Sequence, residues 1–158
     1  TAYIATPAGY GRKAEFKNSG SETVSFTGYV DLLPERNYTF FYTTRADGTE
    51  NSSAVFADET VSSASKAKVR FVNLAGGFTN ADLLIAGGSS LVSNIGFATA
   101  SNFIELDPGT IAFQTVLSSG TGGSFDIGTY TFAAGKIYTI YTSGSLTGTV
   151  SAHLITHN

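Results

Sequence analysis

The two histidines are the side chains of this 158-residue sequence best suited to acid–base or metal chemistry. They stand four positions apart at the C-terminal end, as His153 and His157, and would share one face of an extended strand. A hydrolytic site needs a nucleophile and an orienting group beside its base, and a zinc site needs further ligands. The sequence has no cysteine and no third ligand near the histidines. We therefore expect a solvated, fraying end here, with no catalytic triad and no metal site.

Paired carboxylates are the other candidates, because glycoside hydrolysis uses two acids. Glu105 with Asp107 and Asp58 with Glu59 have suitable spacing, but Asp107 precedes a Pro-Gly turn that favours aspartate for local reasons. Residues 47–50 lack the spaced oxygen ligands of a calcium loop and predict a hairpin turn. We expect no catalytic residue, no cofactor and no metal ion.

Asp82 is the acid whose position is hardest to explain, because it lies inside an apolar stretch beside Leu83 and Leu84. It either orients a ligand or serves as an edge charge or turn cap, and the structural role is favoured. The tyrosines offer a similar choice between a sugar-stacking platform and sheet packing, with packing favoured. The candidate ligand contacts are Asp82, Tyr130 and Tyr141, within a wider tyrosine set that includes Tyr10, Tyr29 and Tyr42.

Strands must position these side chains, because apolar residues recur with a period of two. In residues 67–71 they alternate with charges, and in residues 38–43 aromatic residues line one face. No window shows a helical stripe. The prediction is an all-β fold, an antiparallel β-sandwich that is immunoglobulin-like or similar. Further strands are predicted near residues 23–30, 82–86, 102–106, 110–117, 124–132, 136–142 and 148–155.

An internal repeat organises these strands. Aligning each residue with the one 100 positions later, without a gap, brings turn glycines and strand aromatics into register over about 50 residues. The predicted domains are a partial sandwich module at 1–58 (a back half), a linker at 59–65 and a complete module at 66–158. The first copy has no counterpart of residues 66–100. Matched pairs include Gly9 with Gly109, Gly20 with Gly120, Gly28 with Gly128, Phe16 with Val116, Tyr38 with Tyr138 and Gly48 with Gly148.

Several of these stretches resemble the domain of unknown function 4397 family. The resemblance covers one full copy and the back half of a preceding copy. It implies a bacterial extracellular β-sandwich module with no established activity. The stretches that carry it are residues 67–73, 80–87, 91–97, Phe103, Pro108-Gly109 and 134–140.

One departure from that family concerns the turn after its first strand. Members often carry a histidine-rich, proline-containing turn there, whereas residues 74–79 of this chain contain neither histidine nor proline. Any site that relatives build on that turn is therefore not expected here.

Charge and length exclude several classes of partner. Charged residues make up 13% of the chain, about half of the usual quarter, and eight of the nine basic residues lie in the first 70 positions. No basic patch predicts nucleic-acid binding, and no apolar run is long enough to predict a membrane span. With no methionine anywhere and no signal peptide, the chain is expected to be a processed or excised piece of a longer precursor. The family resemblance implies an extracellular or cell-surface location in bacteria.

The incomplete first module is the best functional lead. A sandwich without its first strands exposes strand edges that invite another chain to pair. We expect self-association or a partner chain at this module, as in a surface filament whose subunits exchange strands, with residues 146–155 as the offered strand. The alternatives are a carbohydrate-binding or adhesin module, and a proteolytic boundary at Thr1 with a sandwich that closes on fewer strands. The residues predicted at the assembly edge are Tyr3, Ile4, Phe16, Val150 and Leu154.

Overall fold

A computed structural model describes residues 3–45, 48, 51–145 and 148–157, with the side chain of Asn51 excluded. The described part of the chain is all β and contains no helix, which confirms the predicted fold class. The run at 47–50 falls almost wholly outside it. The strands are β1 (Gly9–Lys17), β2 (Val24–Leu32), β3 (Tyr38–Thr44), β4 (Asn51–Ala57), β5 (Ala67–Asn73), β6 (Asn80–Ile85), β7 (Ser90–Gly96), β8 (Thr99–Ala100), β9 (Ile104–Leu106), β10 (Gly109–Leu117), β11 (Ser124–Phe132), β12 (Ile137–Gly144) and β13 (Val150–His157).

Strands β5–β13 form a two-sheet sandwich, which we call module 2. One sheet has the order β11-β10-β6-β7, and the other has the order β13-β12-β5-β8, with β9 also paired to β5. All pairings are antiparallel except that of β5 with β12, which is parallel. The two inner faces meet in one apolar core that includes Val69, Phe71, Phe113 and Ile140, each at most 1% exposed.

Strand β5 is the central strand of its sheet. It pairs with β12 along one edge and with β8 and β9 along the other. Val69 and Phe71 point into the sandwich core, while Arg70 and Val72 point to the opposite face and are also buried. A strand buried on both faces must be covered on its outer side by something other than its own module.

Module 1, residues 3–58, supplies that cover and consists of two hairpins, β1–β2 and β3–β4. Its strands lie about 100 positions before β10–β13, as the repeat predicts. The loops between the hairpins also match in detail. The Tyr38 hydroxyl accepts a hydrogen bond from the Leu33 N–H at 3.1 Å, and Tyr138 accepts one from Ala133 at the same distance.

The side chains depart from the ungapped repeat because bulges shift the pairing. Between Gly9 and Arg12, β1 has one residue more than β2 opposite, whereas β10 has no bulge at its start. Phe16 pairs with Phe26, whereas Asp126, which lies 100 positions after Phe26, pairs with Gln114, so the predicted match of Phe16 with Val116 does not hold in the strand pairing. Phe16 instead packs inward against Phe26, at 6.2 Å between ring centroids.

The two modules pack back to back. The outer face of β3–β4 lies on the outer face of β5 and β12, where Phe41 and Ala54 cluster with Val72 and Leu74. The ring of Phe41 lies 5.0 Å from that of Tyr141, its own counterpart in the repeat. Contact between equivalent residues is typical of an isologous, two-fold interface, here formed within one chain.

Module 1 is open at the places where module 2 has β5–β9. Among the described strands, β1 pairs only with β2 and β3 pairs only with β4. Phe40 is half-buried, whereas Ile140 at the matching position is fully buried. Likewise Ile4 is 90% exposed, whereas Ile104 packs against the core of module 2.

This difference in closure predicts unequal mutational costs. We expect Ile140→Ala to lower the free energy of unfolding by about 2–5 kcal/mol, because it leaves a cavity in a closed core. Phe40→Ala is expected to cost less, about 2 kcal/mol, because the ring is only partly buried. Denaturant unfolding measures both, with exposed Val61→Ala as the control. Equal losses at positions 40 and 140 would contradict an open module 1.

Candidate functional site

The most organised polar cluster lies at the junction between the modules. It consists of Tyr3, Thr39 and Asp58 from module 1 and of Arg70, Thr139 and His157 from module 2. Asp58 follows β4, Arg70 lies on the outer face of β5, and His157 ends β13. The side chains of Asp58, Arg70 and His157 are 0%, 3% and 1% exposed. We call these six residues the junction cluster.

An ion pair between the modules is the centre of the junction cluster. Arg70 Nη2 donates to Asp58 Oδ1 at 2.6 Å, and Arg70 Nη1 donates to the carbonyl oxygen of Ala57 at 3.0 Å. The guanidinium also lies over the ring of Phe103, 4.8 Å from its centroid. Arg70 thus holds the end of β4 through a charged and a neutral acceptor together.

The hydrogen bonds around this pair fix the tautomer of His157. Thr139 Oγ1 accepts from Arg70 Nε and Nη2 at 3.2 and 3.0 Å, so its own proton is free for His157 Nε2 at 2.8 Å. His157 therefore carries its proton on Nδ1 and donates to the Tyr3 hydroxyl at 2.6 Å. Tyr3 in turn donates to Asp58 Oδ2 at 3.0 Å.

The cluster leaves no buried polar group unmatched. Thr39 Oγ1 adds a second donor to Asp58 Oδ2 at 2.7 Å. Among the described residues, every buried side-chain nitrogen and oxygen has a partner. A complete network of this kind has a structural role, because each group is already used.

Burial shifts two pKa values in the cluster. It lowers the pKa of His157 below its usual 6.5, against the opposing attraction of Asp58. Burial, reinforced by the Asp58 charge, raises the pKa of Tyr3 to about 12. Both side chains are therefore neutral at pH 7, which is the state that the hydrogen bonds require.

The expectation of a solvated C-terminal end is wrong for His157. Strand β13 continues to this residue, and its pairing with β12 across all eight positions holds the ring in the junction. His153 is exposed and stacks on Tyr141 at 4.9 Å. Thr139, His157 and Asp58 superficially resemble a nucleophile, base and acid, but Thr139 is 0% exposed and its oxygen already accepts from Arg70.

The tyrosines do not share a surface. Tyr130 packs against the module 2 core and donates to the Ile127 carbonyl oxygen at 3.0 Å, while Tyr141 lies between Phe41 and His153. Tyr42 packs inside module 1 on Phe26. The exposed members of the predicted set are Tyr10 and Tyr29.

Asp82 acts on its own sheet. Its Oδ1 accepts from the Asn94 N–H at 2.8 Å and from the Ser118 hydroxyl at 2.5 Å. Asn94 has a φ of 61° beside a bulge in the β6–β7 pairing, so Asp82 stabilises a backbone conformation that is rarely adopted by residues other than glycine. This is the capping role favoured by the sequence.

The predicted assembly-edge residues divide into two groups. Tyr3 and Ile4 line a groove of about 920 Å³ together with residues 32–40, and Phe16 lines a second groove of about 760 Å³. Val150 and Leu154 instead face the core of module 2. Residues 150–157 form a paired strand, so β13 is not a free strand to be offered to a neighbour. Residues 146 and 147 lie outside the described chain.

The remaining acids have local partners. Asp107 pairs with Lys66 at 2.5 Å, and Glu59 lies 3.5 Å from Lys68. Within the described residues there is no group of three or more metal-ligating side chains. In the same part of the chain, no helix is long and apolar enough to cross a membrane.

The fold and the junction together define a class of protein in which a two-sheet β-sandwich packs on two further hairpins. These hairpins match the second half of the sandwich and lack the strands that would complete a second one. No family model matches the chain, and no curated protein matches it. Among solved structures, it is similar to the C-terminal domain of AlgF from P. aeruginosa at 24% sequence identity. That likeness covers 59% of this chain and 99% of that domain, with a TM-score of 0.46.

The buried ion pair gives a direct test of the junction. We expect Asp58→Asn to lower stability by about 3–5 kcal/mol, because Arg70 would remain buried without its counter-charge. Glu59→Gln is the matched control, since this neighbouring carboxylate is 33% exposed and its pair contributes at most about 1 kcal/mol. Thermal and denaturant unfolding would measure both. A loss at position 58 no larger than that at position 59 would contradict a buried junction.

Acid sensitivity follows from the lowered pKa of His157. The unfolded chain takes up this proton below about pH 6.5, whereas the folded chain takes it up only at lower pH. The unfolded state thus binds more protons in this window, and stability falls as the pH drops through it. We expect His157→Gln to flatten the slope of stability between about pH 6.5 and 5. His153→Gln, outside the junction cluster, should retain the parental slope, and a parental slope in both variants would contradict the assignment.

Proposed function

We propose that this chain is a non-enzymatic structural segment of a bacterial surface or secreted protein. In this proposal, module 1 is an assembly point that is completed by strands from another polypeptide segment. The observation that carries the proposal is the uncovered edge of β3, beside a groove whose lining includes Ile4, Leu32 and Phe40. In module 2 the matching edge of β12 is paired with β5 over six residues.

Three further features support this role. First, the polar cluster with the best-ordered geometry is buried and fully hydrogen-bonded, so it serves to hold modules together. Second, among the described strands β1 and β3 each have a neighbour on one edge only, and such an edge favours pairing with another chain. Third, the resemblance to the domain of unknown function 4397 family favours an extracellular module without an activity.

A carbohydrate-binding or adhesin role has less support. The tyrosines that remain available to a glycan are Tyr10 and Tyr29, at 81% and 73% exposure on the hairpin β1–β2. The other tyrosines of the predicted platform pack within or between the modules. A glycan array with the double variant Tyr10→Ala/Tyr29→Ala as control tests this role, and binding lost in the variant would favour it.

Hydrogen exchange tests the assembly role. We expect amides of β3 and β1 to exchange faster than those of β12 and β10, because the module 2 strands are paired on both edges and the module 1 strands on one. Mass spectrometry of peptides covering residues 38–44 and 137–144 gives the comparison within one chain. Equal protection of the two peptides in a monomer would show that module 1 closes by itself, which would overturn the proposal.

Sedimentation of the native material tests the filament form of this role. Strand exchange between subunits predicts assemblies whose size rises with concentration, and electron microscopy would show them as elongated polymers. A monomer at all concentrations, with β3 still fast in exchange, would exclude the filament while leaving the open edge in place.

A further inference from the structure

We infer that the larger groove of module 1, lined by Tyr3 and Ile4, binds a set of strands equivalent to β5–β9, which we call a front half-module. This front half-module enters on the N-terminal side of Tyr3 and does not come from a second copy of this chain. This inference rests on the proposed function, since it names what completes the open module. It is argued from the pairing registers, from the placement of residues 3–8 and from the number of halves in each chain.

The pairing registers of module 2 specify the missing strands. There β12 has β5 as a parallel neighbour, with Ile137 opposite Lys68 and Thr142 opposite Asn73. In the other sheet β10 has β6 as an antiparallel neighbour. Module 1 has the counterparts of β12 and β10, so its two open edges call for one parallel and one antiparallel strand. A single inserted strand, as in simple strand exchange, would fill only one of the two sheets.

Residues 4–6 show what the missing strand would do. They match β9, residues 104–106, which pairs only with β5 in module 2. In module 1 there is no β5 counterpart, and residues 4–6 form no strand. Ile4 is 90% exposed and lines the larger groove, although its counterpart Ile104 packs on a core. Residues 4–6 therefore match the last strand of a front half-module, but they lack the β5-like strand with which they would pair.

Tyr3 gives the direction of entry. Its ring stacks on His157 with centroids 6.2 Å apart, and its hydroxyl is held by the junction cluster. Phe103, its counterpart, also borders the cluster, against Arg70. Tyr3 therefore lies beside the junction cluster, as its counterpart Phe103 does at the end of the front half in module 2.

The number of front and back half-modules in the described residues argues against a second copy of this chain as the source of the missing strands. The described residues of each chain form two back halves, β1–β4 and β10–β13, and one front half, β5–β9. A front half given to the groove of a neighbour would leave the donor's own β10–β13 uncovered. Exchange of the described front half between copies therefore moves the open module from one chain to the next without closing it.

The test joins a duplicate of residues 66–102 directly to Tyr3, replacing Thr1 and Ala2. This junction reproduces the natural step from Asn102 to Phe103. We expect the fused chain to protect β1 and β3 amides to the level of β10 and β12 and to raise the unfolding midpoint of module 1. The control fusion carries Val69→Asp and Phe71→Asp in the duplicate alone, which keeps the length but removes the core-facing side chains.

A thiol probe gives a second readout that does not depend on exchange data. The chain contains no cysteine, so Ile4→Cys places a single thiol in it. We expect this thiol to react with a disulfide reagent at least ten-fold more slowly in the fused chain than in the parent or the control fusion. Equal labelling rates in all three, or equal protection by both fusions, would overturn the inference.

The outcomes separate this inference from the proposed function. Open edges that the fused front half fails to protect would overturn the inference alone. A native chain that forms concentration-dependent polymers with protected β3 would also overturn it, because a second copy would then fill the groove. Edges already protected in a monomer would overturn both.

Discussion

The module 2 sandwich depends on one strand that is buried on both faces. Strand β5 pairs with β12 on one edge and with β8 and β9 on the other, and its side chains alternate between the core and the interface with module 1. In module 2 the hairpins β10–β11 and β12–β13 lie in different sheets, and β5 contributes Val69 and Phe71 to the core between them. Module 1 has the same two hairpins without this strand, which explains why Phe40 is only partly buried whereas Ile140 is fully buried.

The same strand, β5, also makes the specific contact between the two modules. Arg70 leaves β5 on its outer face and meets Asp58 at the end of β4, so the strand that closes module 2 also holds module 1. Asp58 and His157 occupy matching places at the ends of β4 and β13, one ionised and one neutral. A symmetric pair of carboxylates would repel, whereas a carboxylate facing a neutral imidazole leaves the single charge of Arg70 matched. Such a buried pair contributes more to the uniqueness of docking than to net stability.

The sequence predicted the features that follow from the two-residue period of its apolar side chains and from the spacing of its turn residues. It identified the strands around Ala67–Asn73 and Ser124–Phe132, the sandwich class and the 100-residue repeat. It also placed Arg70 on the face opposite Phe71. It could not show that this face is buried, because the cover comes from a different part of the chain. Nor could it show the bulge after Gly9, since β1 and β10 have the same length and differ only in how they pair with β2 and β11. His157 was misjudged because chain ends usually fray, and pairing with β12 overrides that tendency.

The serine-rich stretch between the modules, residues 59–65, has the composition of a flexible tether. Both of its ends are nevertheless fastened. Glu59 lies 3.5 Å from Lys68 of β5, and the Gly135 N–H donates to the Lys66 carbonyl oxygen at 3.0 Å. A segment clamped in this way cannot act as an entropic spring. In a longer array of such modules, the mechanical element would be the docked pair, and bending under load would fall between pairs rather than within them.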